Sequence, residues 1–208
     1  MLGIFGGTFD PIHYGHLRPA QEAMAALGLE QVRMIPAAQP PHRPPPVAAA
    51  AHRLAMVELA VAECPGLVAD DRELVRGGVS YTVDTLRELR AELGARPLCL
   101  LMGADAFAGI ESWHQWQRLP ELAHLVVLRR PGSAFGAGAD GDWARRRECR
   151  DPEALRRAPA GCLWWQEVSP QDISATRIRQ RLRRGEPVDQ LVPPPVRDYI
   201  ARHRLYRE

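Results

Sequence analysis

The sequence predicts an α/β fold in which helices cover both faces of a parallel sheet. Short continuous apolar runs, typical of strands buried in parallel sheets, recur along the chain. Between them lie segments in which apolar residues return every three or four positions, as on one face of a helix. This alternation is typical of a doubly wound, Rossmann-like sheet, here followed by C-terminal helices. The 208 residues show no internal repeat and no obvious linker, so we expect one domain over residues 1–208.

Six apolar runs predict the strands in chain order. They are Met1–Phe5, Val32–Ile35, Gly66–Ala69, Leu98–Met102, Leu125–Leu128 and Leu163–Val168. Helical spacing predicts helices over His16–Leu27, around Leu54, Val57 and Val61, around Leu86, Leu89 and Leu93 up to Gly94, and over Ala175–Arg184 and Val196–His203. Two segments without such spacing predict loops, the proline-rich Pro36–Pro46 and the glycine-rich Gly132–Gly141.

The composition excludes several classes of protein. Every basic residue is an arginine, and the chain contains neither lysine nor asparagine. Without lysine, a Walker-type phosphate loop and Schiff-base catalysis are excluded. The formal net charge of +2 gives no sign of a nucleic acid partner. No apolar run reaches the roughly 18 residues that a membrane span needs. The four cysteines do not have the spacing of a zinc site. Because no leader segment is visible either, we expect a cytoplasmic protein with reduced thiols.

The first predicted strand runs into the string GGTFDPIHYGH, residues 6–16. Ligands of open α/β sheets bind beyond the carboxyl ends of strands, so the position favours a binding site. Gly6 and Gly7 allow the backbone to approach a phosphate closely. His13 and His16 stand three apart at the start of a helix and face the same way, where imidazole donors suit phosphate oxygens. The string is not GxGxxG, so it does not favour a dinucleotide cofactor.

A second string, ISATRIR at residues 173–179, opens a helix near the C-terminus. Ser174 is a good N-cap. Thr176 and Arg179 lie on one side of the helix, so a hydroxyl group, a guanidinium group and free amides are able to meet a triphosphate together. Alone, the string is equally compatible with an ordinary capped helix.

Together the two strings resemble the signatures GxFDPxHxGH and ISxTxxR of the nucleotidylyltransferase superfamily. The resemblance implies that the histidines stabilise the α,β-phosphates of ATP, with His16 as the main catalytic residue and His13 beside it. It also implies that the second string holds the β,γ-phosphates. We interpret Asp10 as a turn former rather than a metal ligand.

Four further strings resemble bacterial nicotinate-nucleotide adenylyltransferases: PPHR at 40–43, SYTVDTL at 80–86, MGAD at 102–105 and WHQW at 113–116. The amides of a hydroxyl-rich helix start suit a carboxylate, and an indole face suits a pyridinium ring. The implied ATP-binding residues are Gly6, Gly7, Thr8, Phe9, His13, His16, His42, Gly103, Asp105, Ser174, Thr176 and Arg179. The implied acceptor-binding residues are Tyr81, Thr82, Trp113 and Arg130.

The chain departs from this resemblance at two places. Members often have an asparagine in a PxNxPPH context, where this chain has Ala37 and Ala38. Many members have a tyrosine or a similar residue after the first tryptophan, where this chain has His114. The contact of the missing asparagine and the role of His114 stay open.

The resemblance implies adenylyl transfer from ATP to nicotinate mononucleotide, giving deamido-NAD and pyrophosphate. We expect Mg²⁺ to be carried by the triphosphate, because the sequence shows no dedicated carboxylate cage. ATP and the mononucleotide are then the partners, and a homo-oligomer is left open. Alternatives are a related transferase acting on nicotinamide mononucleotide or phosphopantetheine, and a non-catalytic nucleotide- or RNA-binding regulator that uses the arginines of 145–157 and 177–184.

Overall fold

The computed structural model describes residues 1–41, 44–131 and 141–207 and contains one six-stranded parallel sheet. Its strands are β1 Leu2–Gly7, β2 Gln31–Pro36, β3 Leu67–Ala69, β4 Leu98–Gly103, β5 His124–Arg129 and β6 Leu163–Glu167. Their order across the sheet is β3-β2-β1-β4-β5-β6, with every neighbouring pair parallel. This order confirms the predicted doubly wound, Rossmann-like sheet, and each of the six predicted strands is present.

Long helices connect the strands, and short ones fill the loops. The helices are α1 Tyr14–Leu27, α2 Ala50–Val61, α3 Arg72–Arg76, α4 Thr82–Leu93, α5 Ala104–Ala108, α6 Leu119–Leu122, α7 Asp142–Arg145, α8 Ala154–Arg157, α9 Ala175–Arg183 and α10 Pro194–Arg202. Two 3₁₀ turns lie at Ile110–Ser112 and Trp116–Arg118. The five long helices match the predicted ones. The short helices escaped prediction because four or five residues are too few to show a helical period.

Two apolar clusters form the core, one on each face of the sheet. Successive residues of β4 and β5 alternate between them: Leu100 and Leu125 belong to one cluster, Leu101 and Val126 to the other. The cluster that contains Leu101 also contains residues of helices α1, α2, α9 and α10. The cluster that contains Leu100 also contains residues of α4. The continuous apolar runs in the sequence therefore reflect strands that are buried on both faces.

Helix α2 is present as predicted, and its buried face also includes a residue that apolar spacing does not indicate. Leu54 and Val61 are only half-buried, whereas Met56, Val57 and Ala60 are fully buried. A charged residue, Arg53, completes this buried face at 1% exposure. Apolar spacing predicts the helix but does not assign an arginine to the core.

The sheet reverses its winding between β1 and β4, and this creates a crevice at their carboxyl ends. The chain leaves β1 toward β2 on one side and β4 toward β5 on the other. Phe5 pairs with Leu101, so Gly7 and Gly103 end the two strands at the same level. A Cβ atom built on Gly103 meets nothing within 4 Å, so this rim is open. Across the described residues, no helix is long and apolar enough to cross a membrane.

Candidate active site

Two stacked imidazole rings lie at the start of α1, beyond the end of β1. The ring centroids of His13 and His16 are 3.8 Å apart with an interplanar angle of 24°. Phe9 meets the His16 ring edge-on, with the centroids 5.0 Å apart. His13 is 4% exposed, and its Nδ1 has no hydrogen-bond partner among the residues described. Burial lowers the pKa of His13 to about 4, so its ring is uncharged at neutral pH and still has one N–H to donate.

Two glycines permit this packing. A Cβ on Gly15 would lie 2.9 Å from the His13 ring and 3.2 Å from the carbonyl oxygen of Ile173. A Cβ on Gly7 would lie 2.9 Å from the ring of Phe9. Gly15 therefore lets the first motif pack both on its own histidine and on the backbone of the second motif.

The second motif opens α9 directly against the first. The Ser174 side chain caps the helix, as predicted, by accepting a hydrogen bond from the N–H of Arg177. Arg179 Nη1 donates to the main-chain oxygen of Asp10 at 2.7 Å, although 169 positions separate the two residues. Arg179 Nη2 donates to the hydroxyl group of Thr176 at 3.4 Å. The fold thus places the hydroxyl and guanidinium groups of α9 beside the histidine-bearing loop.

Asp10 ties this loop to two other parts of the chain. Its carboxylate, in a residue 4% exposed, accepts hydrogen bonds from the N–H of Val47 at 2.7 Å and of Ala48 at 3.1 Å. It accepts a third, at 2.7 Å, from the hydroxyl group of Tyr206. Describing Asp10 as a turn former is therefore incomplete, because its carboxylate joins the histidine-bearing loop to residues 47–48 and to the C-terminal segment.

Arg53 also binds the histidine-bearing loop and its neighbours, through their main-chain oxygens. Its Nη1 donates to the carbonyl groups of Thr8 at 2.8 Å and Ala37 at 2.6 Å. Nη2 and Nε donate to the carbonyl groups of Ala38 at 3.4 Å and Ala48 at 3.2 Å. One buried guanidinium group therefore fixes the loops that leave β1 and β2. Burial lowers the pKa of Arg53, and the nearby carboxylate of Asp10 opposes this effect only in part.

The segment that lacks the asparagine of similar proteins is held by other groups. The hydroxyl group of Ser80 accepts a hydrogen bond from the N–H of Ala38 at 2.8 Å. The backbone N–H of Ser80 donates to the carbonyl group of Gln39 at 2.9 Å. Ser80 is buried, and it immediately precedes Tyr81, the N-cap residue of α4. The loop after β2 and the start of α4 are thus bound to each other, next to the histidine-bearing loop that Arg53 holds.

Aromatic side chains surround the start of α4. Tyr81 stacks on His114, with the ring centroids 4.3 Å apart and an interplanar angle of 36°. Gln115 Nε2 lies 3.0 Å from Nε2 of His114, while its Oε1 accepts a hydrogen bond from Arg87. Trp113 is half-buried and packs against the cluster beneath α4. His114 therefore forms an aromatic pair with Tyr81 at this rim.

A buried carboxyl group supports the start of α4 from inside. Glu73 is 7% exposed and accepts a hydrogen bond from the hydroxyl group of Thr85. Arg76 donates to the same hydroxyl group at 3.0 Å. Burial raises the pKa of Glu73, while the hydrogen bonds from Thr85 and Ser80 lower it. These contacts fix the first turn of α4. The side chain of its N-cap residue, Tyr81, makes no hydrogen bond to the backbone amides of that turn.

The remaining predicted residues lie at the ends of two strands, at the starts of two helices, or outside the described residues. Gly103 ends β4, and Asp105 is exposed in the first turn of α5. Arg130 is exposed directly after β5. Thr82 is half-buried as the first residue of α4. His42 lies outside the described residues.

Comparisons with known proteins agree with this geometry. Residues 4–181 match the family model described as cytidylyltransferase-like. The chain belongs to the cytidylyltransferase-like family. A relative in Methylococcus capsulatus, named "probable nicotinate-nucleotide adenylyltransferase", is 48% identical over 99% of both chains. A relative of the same name in Halorhodospira halophila is 49% identical over 99% of this chain and 94% of its own.

Solved structures share the fold of this cytidylyltransferase-like chain. The nicotinic acid mononucleotide adenylyltransferase of Plasmodium falciparum, complexed with NaAD, aligns with a TM-score of 0.73 over 99% of this chain and 96% of its own, at 17% identity. A nicotinate-nucleotide adenylyltransferase structure from Vibrio parahaemolyticus, described there as putative, aligns with a TM-score of 0.66 over 100% and 95%, at 14% identity. At these identities the likeness shows the fold alone.

Three residues of the cytidylyltransferase-like site were missed from the sequence: Arg53, Glu73 and Tyr206. Each is buried and polar, and each bonds to partners that are distant in the chain. The usable signal was weak. Arg53 stands three and four positions before Met56 and Val57, which places an arginine on the apolar face of a helix.

Proposed function

We propose that this chain transfers the adenylyl group of ATP to nicotinate mononucleotide, forming deamido-NAD and pyrophosphate. The observation that carries the proposal is the hydrogen bond from Arg179 to the backbone of Asp10, which joins the two phosphate motifs in one crevice. The relatives at 48–49% identity, named for this reaction, support it. Residues 1–208 act as one functional domain in this proposal, because the two motifs lie at opposite ends of the chain.

In the proposed reaction the phosphate oxygen of the mononucleotide attacks the α-phosphorus of ATP. The bond from that phosphorus to the bridging oxygen breaks, and pyrophosphate leaves with the electron pair. No covalent bond to the protein forms, so the protein contributes positioning and electrostatic stabilisation. His16 and the uncharged His13 donate N–H groups to the α,β-phosphate oxygens, on which charge accumulates in the transition state.

The other end of the triphosphate is assigned to α9. Ser174, Thr176 and Arg179 offer hydroxyl groups, a helix N-terminus and a fixed guanidinium group to the β,γ-phosphates. Within the described part of the chain, no cluster of three or more histidine, cysteine or acidic side chains is suited to hold a metal ion. Mg²⁺ would be carried by the triphosphate itself, and would neutralise part of its charge.

The mononucleotide is assigned to the rim formed by α4 and the segment after α5. The free amides at Thr82 suit a pyridine carboxylate, and the face of Trp113 suits the pyridinium ring. Arg130, directly after β5, is assigned to the phosphate group. Recognition of a carboxylate by amide N–H donors favours the acid over the amide form of the nucleotide, because the amide's NH₂ group has no acceptor to meet there.

Pyrophosphate release tests the proposal directly. The purified protein is given ATP and Mg²⁺ with nicotinate mononucleotide, nicotinamide mononucleotide or phosphopantetheine in separate reactions. We expect turnover with the first and a kcat/KM at least about tenfold lower with the second. No turnover with any acceptor would overturn the proposal, and preference for the amide form or for phosphopantetheine would replace its acceptor.

A further inference from the structure

The hydroxyl group of Tyr206 occupies a position that packing alone does not explain. Tyr206 follows α10, is 5% exposed and has its ring in the apolar cluster with α1, α2 and α9. A phenylalanine would fill the same space. The hydroxyl group instead donates to Asp10 Oδ1 at 2.7 Å, 196 positions away in the chain.

Asp10 connects this hydroxyl group to Arg179. The main-chain oxygen of Asp10 accepts the 2.7 Å hydrogen bond from Arg179 Nη1, while Oδ2 stays 3.8 Å from the same nitrogen. The carboxylate is kept from closer contact because its oxygens already accept from Val47, Ala48 and Tyr206. A carboxylate with satisfied oxygens competes less with ATP for the guanidinium group.

The surrounding charges keep the phenol in its donating form. Burial and the neighbouring Asp10 carboxylate raise the pKa of Tyr206 far above neutral pH, although Arg179 and Arg53 oppose this. The hydroxyl group therefore donates, and the carboxylate accepts, at any pH at which the enzyme would work.

We propose that Tyr206 is a positioning residue for ATP: its hydroxyl group holds the Asp10 carboxylate away from Arg179, which leaves the guanidinium group available to the triphosphate. The inference rests on the proposed function, because it assumes that Arg179 binds phosphate. Without the hydroxyl group, Oδ1 loses one of its donors, and the carboxylate turns toward the nearest cation.

The test measures ATP affinity by calorimetry, without any acceptor, in wild type and in Tyr206→Phe. We expect ATP to bind about three- to tenfold more weakly to the variant, the size of one ordinary hydrogen bond, because the lost hydroxyl group acts on ATP only through Asp10 and Arg179. The matched control is Tyr199→Phe on α10. It removes a hydroxyl group that lies 3.0 Å from Nδ1 of His52 and makes no bond to Asp10. The control should bind ATP like wild type.

A double-mutant cycle separates positioning from a merely structural role. If Tyr206 acts through Arg179, Tyr206→Phe should weaken ATP binding in the wild type and have no further effect in the Arg179→Gln background. An equal effect in both backgrounds, or unchanged ATP affinity whatever the loss of thermal stability, would overturn the inference. Failure of the wild-type protein to bind ATP would instead count against the proposed function.

Discussion

At the scale of single residues, the paired histidines define the chemistry that the crevice offers. Two imidazoles stacked at 3.8 Å repel each other if both are charged, and burial holds the pKa of His13 near 4. In the proposed reaction His13 is therefore an uncharged N–H donor, while fixed positive charge comes from arginine. Because the chain has no lysine, the described cations fixed next to the histidine loop are arginines: Arg53, which is fully buried, and Arg179, which is partly exposed.

Replacing His16 should slow the chemical step. We expect His16→Ala to lower kcat about 10²- to 10³-fold, the usual effect of removing one donor that stabilises transition-state charge. Pyrophosphate release at saturating substrates measures it. His52→Ala is the control, because His52 contacts Tyr199 between α2 and α10 and should leave kcat unchanged. A near-normal kcat in His16→Ala would remove this residue from the catalytic role.

Replacing Trp113 should weaken the acceptor alone. We expect Trp113→Ala to raise KM for nicotinate mononucleotide about tenfold, the scale of a lost ring-on-cation contact, with KM for ATP unchanged. Trp164→Phe, on the opposite face of the sheet, is the control. If the KM of the acceptor stayed constant in Trp113→Ala, the ring would be a packing residue.

Residues that share a short string could be predicted from the sequence, and residues that act across the fold could not. His13, His16, Ser174 and Arg179 stand in strings whose spacing shows both the helix start and the donor chemistry. Tyr206 stands in no such string, and its partner Asp10 is 196 positions away. No local pattern carries that information, and the structure was needed to find it.

At the scale of elements, continuous apolar runs revealed all six strands because both faces of the sheet are buried. Helix α2 shows the limit of this method. Its existence followed from apolar spacing, but its buried face includes Arg53, whose partners are carbonyl groups of three separate segments. A charged residue on a core face is stabilised by such backbone partners, which periodicity does not count.

Removing this guanidinium group should destabilise the whole crevice. Arg53→Met leaves four carbonyl groups without their donor, so we expect the free energy of unfolding to fall by about 3 kcal/mol or more. Chemical denaturation measures the change. Arg202→Met, at an exposed position, is the control and should stay within about 0.5 kcal/mol of wild type. A similarly small loss in Arg53→Met would show that the carbonyl groups find other donors.

At the scale of the whole molecule, the arginines are largely balanced by acids. The arginine-rich segments 145–157 and 177–184 form ion pairs with nearby acids: Arg156–Glu153 at 3.1 Å, Arg157–Asp151 at 3.5 Å, Arg177–Asp172 at 3.1 Å and Arg181–Glu186 at 3.4 Å. Such pairing reduces the positive potential that nucleic acid binding requires. It supports the enzyme rather than the regulator.

The stability of the fold should fall as the pH drops below 6.5. Burial lowers the pKa of His13 to about 4 and also lowers that of His124, so the unfolded chain binds more protons than the folded one between these values. This difference favours unfolding in acid, and for His13 it amounts to about 2 kcal/mol between pH 7.5 and 5. Denaturation of His13→Gln at both pH values isolates the contribution, since Glu73 and His124 titrate alike in both proteins. We expect the variant to lose about 2 kcal/mol less than wild type on acidification; equal losses would mean that His13 is protonated in the folded state.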